Sequence, residues 1–379
     1  MKKNTILVLS FSKLATDPRV NRQIRFLSDR YRIVAAGLTD PGIEGVEFIP
    51  LVKEINRIRL LLPALKLLVR RYESWYWGQN HIQYCLRALS SVRADLLLAN
   101  DIDSLPVALR LARGAKVIFD AHEYAPRQYE DVFRWRFLFQ KYSTYLCKIY
   151  IPKVHGMTTV CPGIAEAYQK DTGLKPLVIT SAPDYEDLEP NLFDQREKKI
   201  RLIHHGIAGP SRKIENMIRM MDFLDDRFEL NLMFIPTNPG YIKFLKKLGA
   251  ERPNVRFLPP QPMRTLSRYL HQFDIGVSLI APTNFNYLHI LPNKFFECIQ
   301  ARLAIAVGPS PEMARIVNEY DLGVVAENFT PEALAERLRN LDQNKINYYK
   351  LQSHRAARLL SAEENKKLLL HLVDQVLQE

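Results

Sequence analysis

Cysteine is scarce in this 379-residue chain. Cys85, Cys147, Cys161 and Cys298 stand far apart, with no paired metal-binding spacing, which excludes a disulfide framework and favours a reduced, cytoplasmic protein. Long apolar runs are also missing. The best, from Leu60 to Val69, is short and interrupted by Pro63 and Lys66, too little to span a bilayer. The opening MKKNTILVLSFSK has a basic start and an apolar run, but Ser10, Ser12 and Lys13 break it and no small-residue cleavage site follows. It reads as a first strand rather than a signal peptide. Acid is in deficit, with 41 Asp and Glu against 53 Lys and Arg and a net charge of +12. Such a balance suits an anionic partner, yet no nucleic-acid motif accompanies it, so nucleic acid is not expected. Internal repeats and low-complexity tracts are lacking too. What is present, 47% hydrophobic and 25% charged residues, is the composition of a folded chain long enough for two domains.

The pattern along the chain is alternation. Apolar runs at 5–9, 32–37, 95–99, 116–120 and 156–160 read as strands, with amphipathic helices between them. Asp17 and Pro18 have the chemistry of an N-cap and a first helical position. A polar, proline- and acid-rich stretch, SAPDYEDLEPNLFDQREKK, follows from Ser181. A second alternation comes next, with strands at 200–205, 229–235, 255–258 and 275–279 and helices at 212–224, 240–249 and 265–272. The division this predicts is a first domain over 1–183, a linker over 184–199, a second domain over 200–360 and a closing helix over 361–379. Alternation of this kind defines an α/β fold with parallel, doubly wound sheets and ligands at the carboxyl ends of the strands.

Three stretches carry candidate chemistry. In HHGIAGPSRK, Gly206 lets backbone approach a phosphate, and Arg212 and Lys213 bring positive charge to the start of the helix expected there. NFNYLHILPNKFFECIQARLAIAVGPSPEMARIV reads as loop, helix, strand, turn and helix. Its first helix opens at Pro292, Asn293 and Lys294, where free N–H groups can meet an anion or a hydroxylated ligand, and Glu297 lies a turn further in. FDAHEY places His122 after a strand, able to donate to a hydroxyl or to exchange a proton near neutral pH. Asp101 and Asp103 form an Asp-x-Asp pair after another strand. A capping or acceptor-side role suits it better than metal, and no metal site is expected.

The last helical block, PNKFFECIQARLAIAVGPSPEMARIV, resembles the donor site of GT-B glycosyltransferases, in particular the retaining family four. That family carries two glutamates eight residues apart; Glu297 matches the second, the ribose-contacting one, and His289 stands where the first would be. Arg212 and Lys213 match its basic pair on the donor diphosphate, although Ile207 occupies the position after the glycine where arginine is commoner. His122 matches its acceptor-side histidine. The resemblance implies two Rossmann-like domains facing a central cleft, with the last helix crossing back to the first domain. It implies a retaining, metal-independent transferase that needs no cofactor and takes a UDP- or GDP-sugar as donor. The acceptor would be a glycan or a lipid-linked molecule in surface polysaccharide or glycoconjugate synthesis. In these terms His122, Arg212 and Lys213 carry the chemistry, and Gly206, Arg212, Lys213, His289, Pro292, Asn293, Lys294 and Glu297 hold the donor. A non-catalytic GT-B subunit and a GT-B sugar-nucleotide epimerase share the same pattern and stay open as alternatives.

Two basic stretches complete the reading. Residues 53–71 carry Lys53, Arg57, Arg59, Lys66, Arg70 and Arg71 against Glu54 alone. Residues 133–153 interleave Arg134, Arg136, Lys141, Lys148 and Lys153 with aromatics, and Trp135, Phe139, Tyr142, Leu146 and Ile149 fall on one helical face. Basic amphipathic helices with aromatics suit an anionic membrane surface, here the cytoplasmic face of the inner membrane.

Overall fold

The computed structural model describes residues 3–52, 61–193 and 199–378. Of the expected membrane-facing stretch 53–71, the part up to residue 60 lies outside the described residues, as do 194–198 of the expected linker. The chain divides into two compact units, Met1–Thr180 with Lys366–Glu379, and Ser181–Asn365.

In the N-terminal unit the strands are β1 Thr5–Leu9, β2 Arg32–Gly37, β3 Glu47–Pro50, β4 Leu96–Asn100, β5 Lys116–Ala121, β6 Gly156–Thr159 and β7 Leu177–Val178. They form one parallel sheet in the order β3-β2-β1-β4-β5-β6-β7. Ile6 pairs with Ile33 on one side and Leu96 on the other, which sets β1 in the middle. Strands covered by helices on both faces need apolar residues at every position rather than at alternate ones, and ILVL, LLLA and VIF supply them. Leu7, Val8, Leu97, Leu98, Ile118 and Phe119 are all buried. Asp17 caps the helix Pro18–Ser28, accepting from the amides of Arg19 and Val20 at 3.2 Å each. That cap contributes about 1 kcal/mol, and it aims the first turn, with Arg19, at the sheet's carboxyl edge.

In the C-terminal unit the strands are β8 Ile200–Ile207, β9 Phe228–Ile235, β10 Val255–Leu258, β11 Ile275–Ser278, β12 Ala304–Val307 and β13 Gly323–Val325. The order β10-β9-β8-β11-β12-β13 is again parallel and again reverses direction beside the first strand, between β8 and β11. A crevice at such a reversal is where open α/β sheets bind ligands. The closing helix, Ala362–Gln378, contributes its residues from Lys366 onward to the N-terminal unit. There Leu372 and Val376 lie against Gly156, and Asp374 accepts from Arg30 and from Tyr31.

Two expected helices differ in the structure. The one at 212–224 is instead a 3-10 turn, Pro210–Arg212, then Lys213 in the left-handed region at φ 51°, then a six-residue helix, Glu215–Met220. Gly209, Pro210 and Ser211 favour the tight turn, and Lys213 ends it. Residues 133–153 are likewise not one helix. Phe133–Leu138 and Gln140–Tyr150 meet at Phe139, and a 3-10 turn, Ile151–Lys153, follows. The expected apolar face is therefore divided. Tyr142 and Leu146 are core residues, whereas nothing in Phe133–Leu138 is buried. A helix the alternation did not single out, Gln343–Ala357, packs on β12 and buries Lys350 against Asp274 at 3.2 Å.

Candidate functional site

Each unit gathers polar residues at the carboxyl edge of its sheet. In the C-terminal unit β8 ends in His204, His205 and Gly206. Gly206 has φ 104°, a conformation open to glycine and strained for any other residue, and a Cβ there would lie 3.5 Å from Lys294 Cε. Lys294 comes from the helix Asn293–Gln300, whose N-cap is Pro292. Its ammonium is buried and donates to His204 Nε2 at 3.1 Å. His204 Nδ1 in turn donates to the Val277 carbonyl at 2.7 Å, which fixes the tautomer that leaves Nε2 free to accept. One helical turn on, Glu297 Oε2 lies 3.7 Å from His205 Nδ1, and Cys298 Sγ lies 4.0 Å from His205 Nε2. From the turn after β8, Arg212 donates to the Ile207 carbonyl at 3.2 Å and sits over the Tyr287 ring.

Burial and Arg212 outweigh the Glu297 carboxylate in setting the charge of this cluster. Burial pushes Lys294 well below its usual value and neighbouring Arg212 adds to the effect. Burial, then the charge of Lys294, lowers His204 well below the ordinary range and brings His205 down to about 3. Cys298 is buried and its thiol is pushed up, first by burial and then by Glu297, which makes it an inert core residue rather than a nucleophile. A cation buried beside a second cation, with an imidazole as its acceptor, is a site whose electrostatics improve when an anion arrives.

The structure thus draws Gly206, Arg212, Lys294 and Glu297 around one edge, with Pro292 and Asn293 at the helix start. Lys213 behaves differently from the expectation: it is exposed and left-handed, and the six-residue helix after it begins with Glu215. Arg212 acts from a turn, so a helix-dipole argument does not apply to it. His289 belongs to a neighbouring pair. Its Nδ1 lies 2.9 Å from Oε1 of the buried Glu312, and Ser310 Oγ holds the same loop through the Leu288 and Ile290 carbonyls. Glu312 stands in the first turn of the helix Pro311–Glu319 and supplies a carboxylate directly beside His289.

In the N-terminal unit the centre is Asp120, at the end of β5 and inaccessible to solvent. Arg19 grips it with a guanidinium fork, Nε to Oδ2 at 2.6 Å, while Arg19 Nη1 donates to the Ile179 carbonyl at 2.7 Å. Gln23 Nε2 donates to Oδ2 at 2.5 Å, and the Thr158 hydroxyl donates to Oδ1. His122 Nε2 lies 3.1 Å from Asp120 Oδ2 and 3.3 Å from Asn100 Oδ1; its Nδ1 lies 3.5 Å from Asp101 Oδ2. Burial raises the Asp120 carboxyl, but Arg19, then His122, outweigh it and hold the group far below the carboxylate range. Burial likewise disfavours a charged His122, yet Asp101 and Asp120 prevail and raise it to about 9. Asp101 has φ 62°, and its side chain is half exposed. Asp103 is exposed and its carbonyl accepts from Tyr76. Among the described residues, no group of three or more His, Cys, Asp or Glu is arranged to hold a metal ion.

Sequence reasoning missed Arg19, Gln23 and Asp120 as a unit, and gave no role to His204 or His205. Polar residues closing two apolar strands, DAH and HHG, were the available signal. Their partners lie 101 and 90 positions away, beyond any local pattern.

Two parallel sheets with the same reversal, each carrying its polar residues at the carboxyl edge, define a pair of Rossmann-like units, and the chain has the GT-B glycosyltransferase fold. Among solved structures it is similar to sucrose-phosphate synthase from Thermosynechococcus elongatus, at 13% identity and a TM-score of 0.74, over 99% of this chain and 99% of that one. It is similar to HepE from Anabaena in complex with UDP-glucose, at 12% identity and a TM-score of 0.68, over 98% of this chain and 100% of that one. A third likeness is to a variant of S. aureus TarM in complex with fondaparinux, alpha-GlcNAc-glycerol and UDP, at 12% identity and a TM-score of 0.63. That match covers 79% of this chain and spans only 59% of TarM. No family model and no curated protein sequence matches the chain.

Proposed function

We propose that the protein is a nucleotide-sugar glycosyltransferase whose C-terminal unit holds the donor and whose N-terminal unit receives the acceptor. The observation that carries this reading is the buried Lys294, held on an imidazole beside Arg212 and Gly206, at the strand reversal where such sheets bind nucleotides. In it the donor diphosphate lies against Arg212 and Lys294, and Glu297 accepts from the ribose hydroxyls. As the sugar leaves, negative charge grows on the diphosphate, and fixed cations in a desolvated site stabilise it where it develops. Lys213 contributes to the approach of the anion from its exposed position. The His289–Glu312 pair contacts the transferred sugar in place of the missing first glutamate. His122 supplies positive charge and N–H donors at the acceptor. The structural neighbours support UDP-sugars as the donor class, since HepE was solved with UDP-glucose and TarM with UDP. Retention of configuration and independence from metal follow from the resemblance to family four. Peripheral contact with an anionic membrane, serving a lipid-linked acceptor, is supported by the exposed Phe133 and Phe137 among Arg134, Arg136 and Lys141. Among the described residues no helix is long and apolar enough to cross a membrane.

Thermal shift with UDP-, GDP-, ADP-, CMP- and dTDP-sugars tests the donor site. At ligand concentrations of 100 times Kd, binding adds about 2.7 kcal/mol to the folded state. One nucleotide class should raise the midpoint, and Arg212→Ala and Glu297→Ala should each remove most of that gain. A native protein blind to every sugar nucleotide would refute the reading.

A further inference from the structure

We propose that Asp101 and Asp120 hold His122 as a permanent imidazolium, so that His122 serves as a positioning cation and the half-exposed Asp101 carboxylate is the group that meets the acceptor hydroxyl. The inference rests on the acceptor-side reading of the N-terminal unit and assigns protonation states and roles within it.

Geometry gives the protonation state. A neutral imidazole has one N–H and one acceptor nitrogen. Around His122, both ring nitrogens face oxygens: Asp101 Oδ2 on the Nδ1 side, Asp120 Oδ2 and Asn100 Oδ1 on the Nε2 side. Each of these oxygens accepts when the carboxylates are ionised, so the arrangement suits hydrogen on both ring nitrogens.

The charged neighbours settle which carboxylate is available. Arg19, from the helix Pro18–Ser28, takes both oxygens of Asp120, and Gln23 from the same helix and Thr158 from β6 add two more donors. With His122 as well, Asp120 is saturated and enclosed. Asp101 is not. Its Oδ1 receives the His122 amide at 3.4 Å and its Oδ2 faces the ring, while about half of its side-chain surface is open to solvent. Its left-handed backbone, tolerated by Asp better than by most residues, turns the carboxylate back toward His122. An imidazolium between two carboxylates has no lone pair to offer an incoming hydroxyl proton. The open lone pairs in this cluster belong to Asp101, and His122 fixes their direction.

Histidine-selective NMR on the full chain decides the matter without a known acceptor. His122→Gln identifies the ring among the nine histidines. The expected result is nitrogen shifts of a doubly protonated ring at pH 7.5, with a midpoint near 9. Asp101→Asn, an isosteric change at a half-exposed side chain, should lower that midpoint by about one unit, since it removes one of the two carboxylates facing the ring. A neutral, single-tautomer His122 at pH 7.5, or a midpoint indifferent to Asp101→Asn, would overturn the proposal. Donor binding by the native protein is read separately by thermal shift. Its absence together with a high His122 midpoint would sink the glycosyltransferase reading while the charge assignment stands.

Discussion

Gly206→Ala is the sharpest single change the C-terminal unit offers, because its cost is separable into backbone and packing. The added Cβ would lie 3.5 Å from Lys294 Cε and 3.6 Å from Nζ, which is ordinary contact, so packing contributes little. The backbone contributes most: φ 104° lies where a residue with a Cβ is strained, at about 1–3 kcal/mol. For a unit of this size, that should lower the thermal midpoint by about 2–4 °C per kcal/mol. Gly209→Ala provides the control three residues on. There φ is −122° and nothing lies within 4 Å of the new methyl, so the change should be neutral or should stabilise by a few tenths of a kcal/mol through the unfolded chain. Denaturant midpoints of the two variants, measured beside the native protein, make the comparison. If Gly206→Ala costs no more than Gly209→Ala, then Gly206 is not required by backbone strain, and the account of how β8 turns toward Lys294 is wrong.

The remaining predictions concern the N-terminal unit. Asp120→Asn removes the charge that compensates the buried Arg19, and breaking such a pair from one side should destabilise by about 3–5 kcal/mol in urea titrations. The pH dependence has two limbs. The Asp120 carboxyl is depressed, so its contribution is intact above the unfolded value near 4 and lost as pH falls below it; His122 is raised, so its contribution is complete below about 6.5 and lost as pH rises through about 9. His122→Gln should flatten the alkaline limb, which denaturation midpoints at pH 6 and 9 will read. Paired Phe133→Ser and Phe137→Ser substitutions, at side chains 69% and 64% exposed, should leave the melting temperature unchanged and lower flotation with vesicles containing phosphatidylglycerol. Equal flotation by native and doubly substituted protein would refute the membrane contact.

The architecture was legible from the chain order because it depends on local patterning. Runs such as ILVL, LLLA and AIAV must be buried on both faces, and helices between parallel strands are the only short connections that achieve it. Asp17 and Pro18 announced their helix by the same local chemistry. The donor-side residues Gly206, Arg212, Lys294 and Glu297 were legible as candidates, since glycine, cations and a helix start fell next to strand ends. Where local signals conflicted, the reading failed. Pro210, Ser211 and Lys213 favour a turn more strongly than the following apolar residues favour an early helix, so Arg212 sits in a 3-10 turn and the helix waits until Glu215.

Tertiary structure alone decided the states of the charges. Nothing in the spacing of Arg19, Asp120, Asn100, Asp101 and His122 shows that they meet, because parallel β4 and β5 are brought into register by contacts 20 or more residues apart. Nor does sequence show that Lys294 is buried against His204, or that Glu312 faces His289. Hydrophobic periodicity determines which segments become strands and helices, because it acts over a few residues. Protonation and recognition depend on which polar groups share a desolvated space, and that is set by the sheet order, which joins distant ends of the chain at one edge.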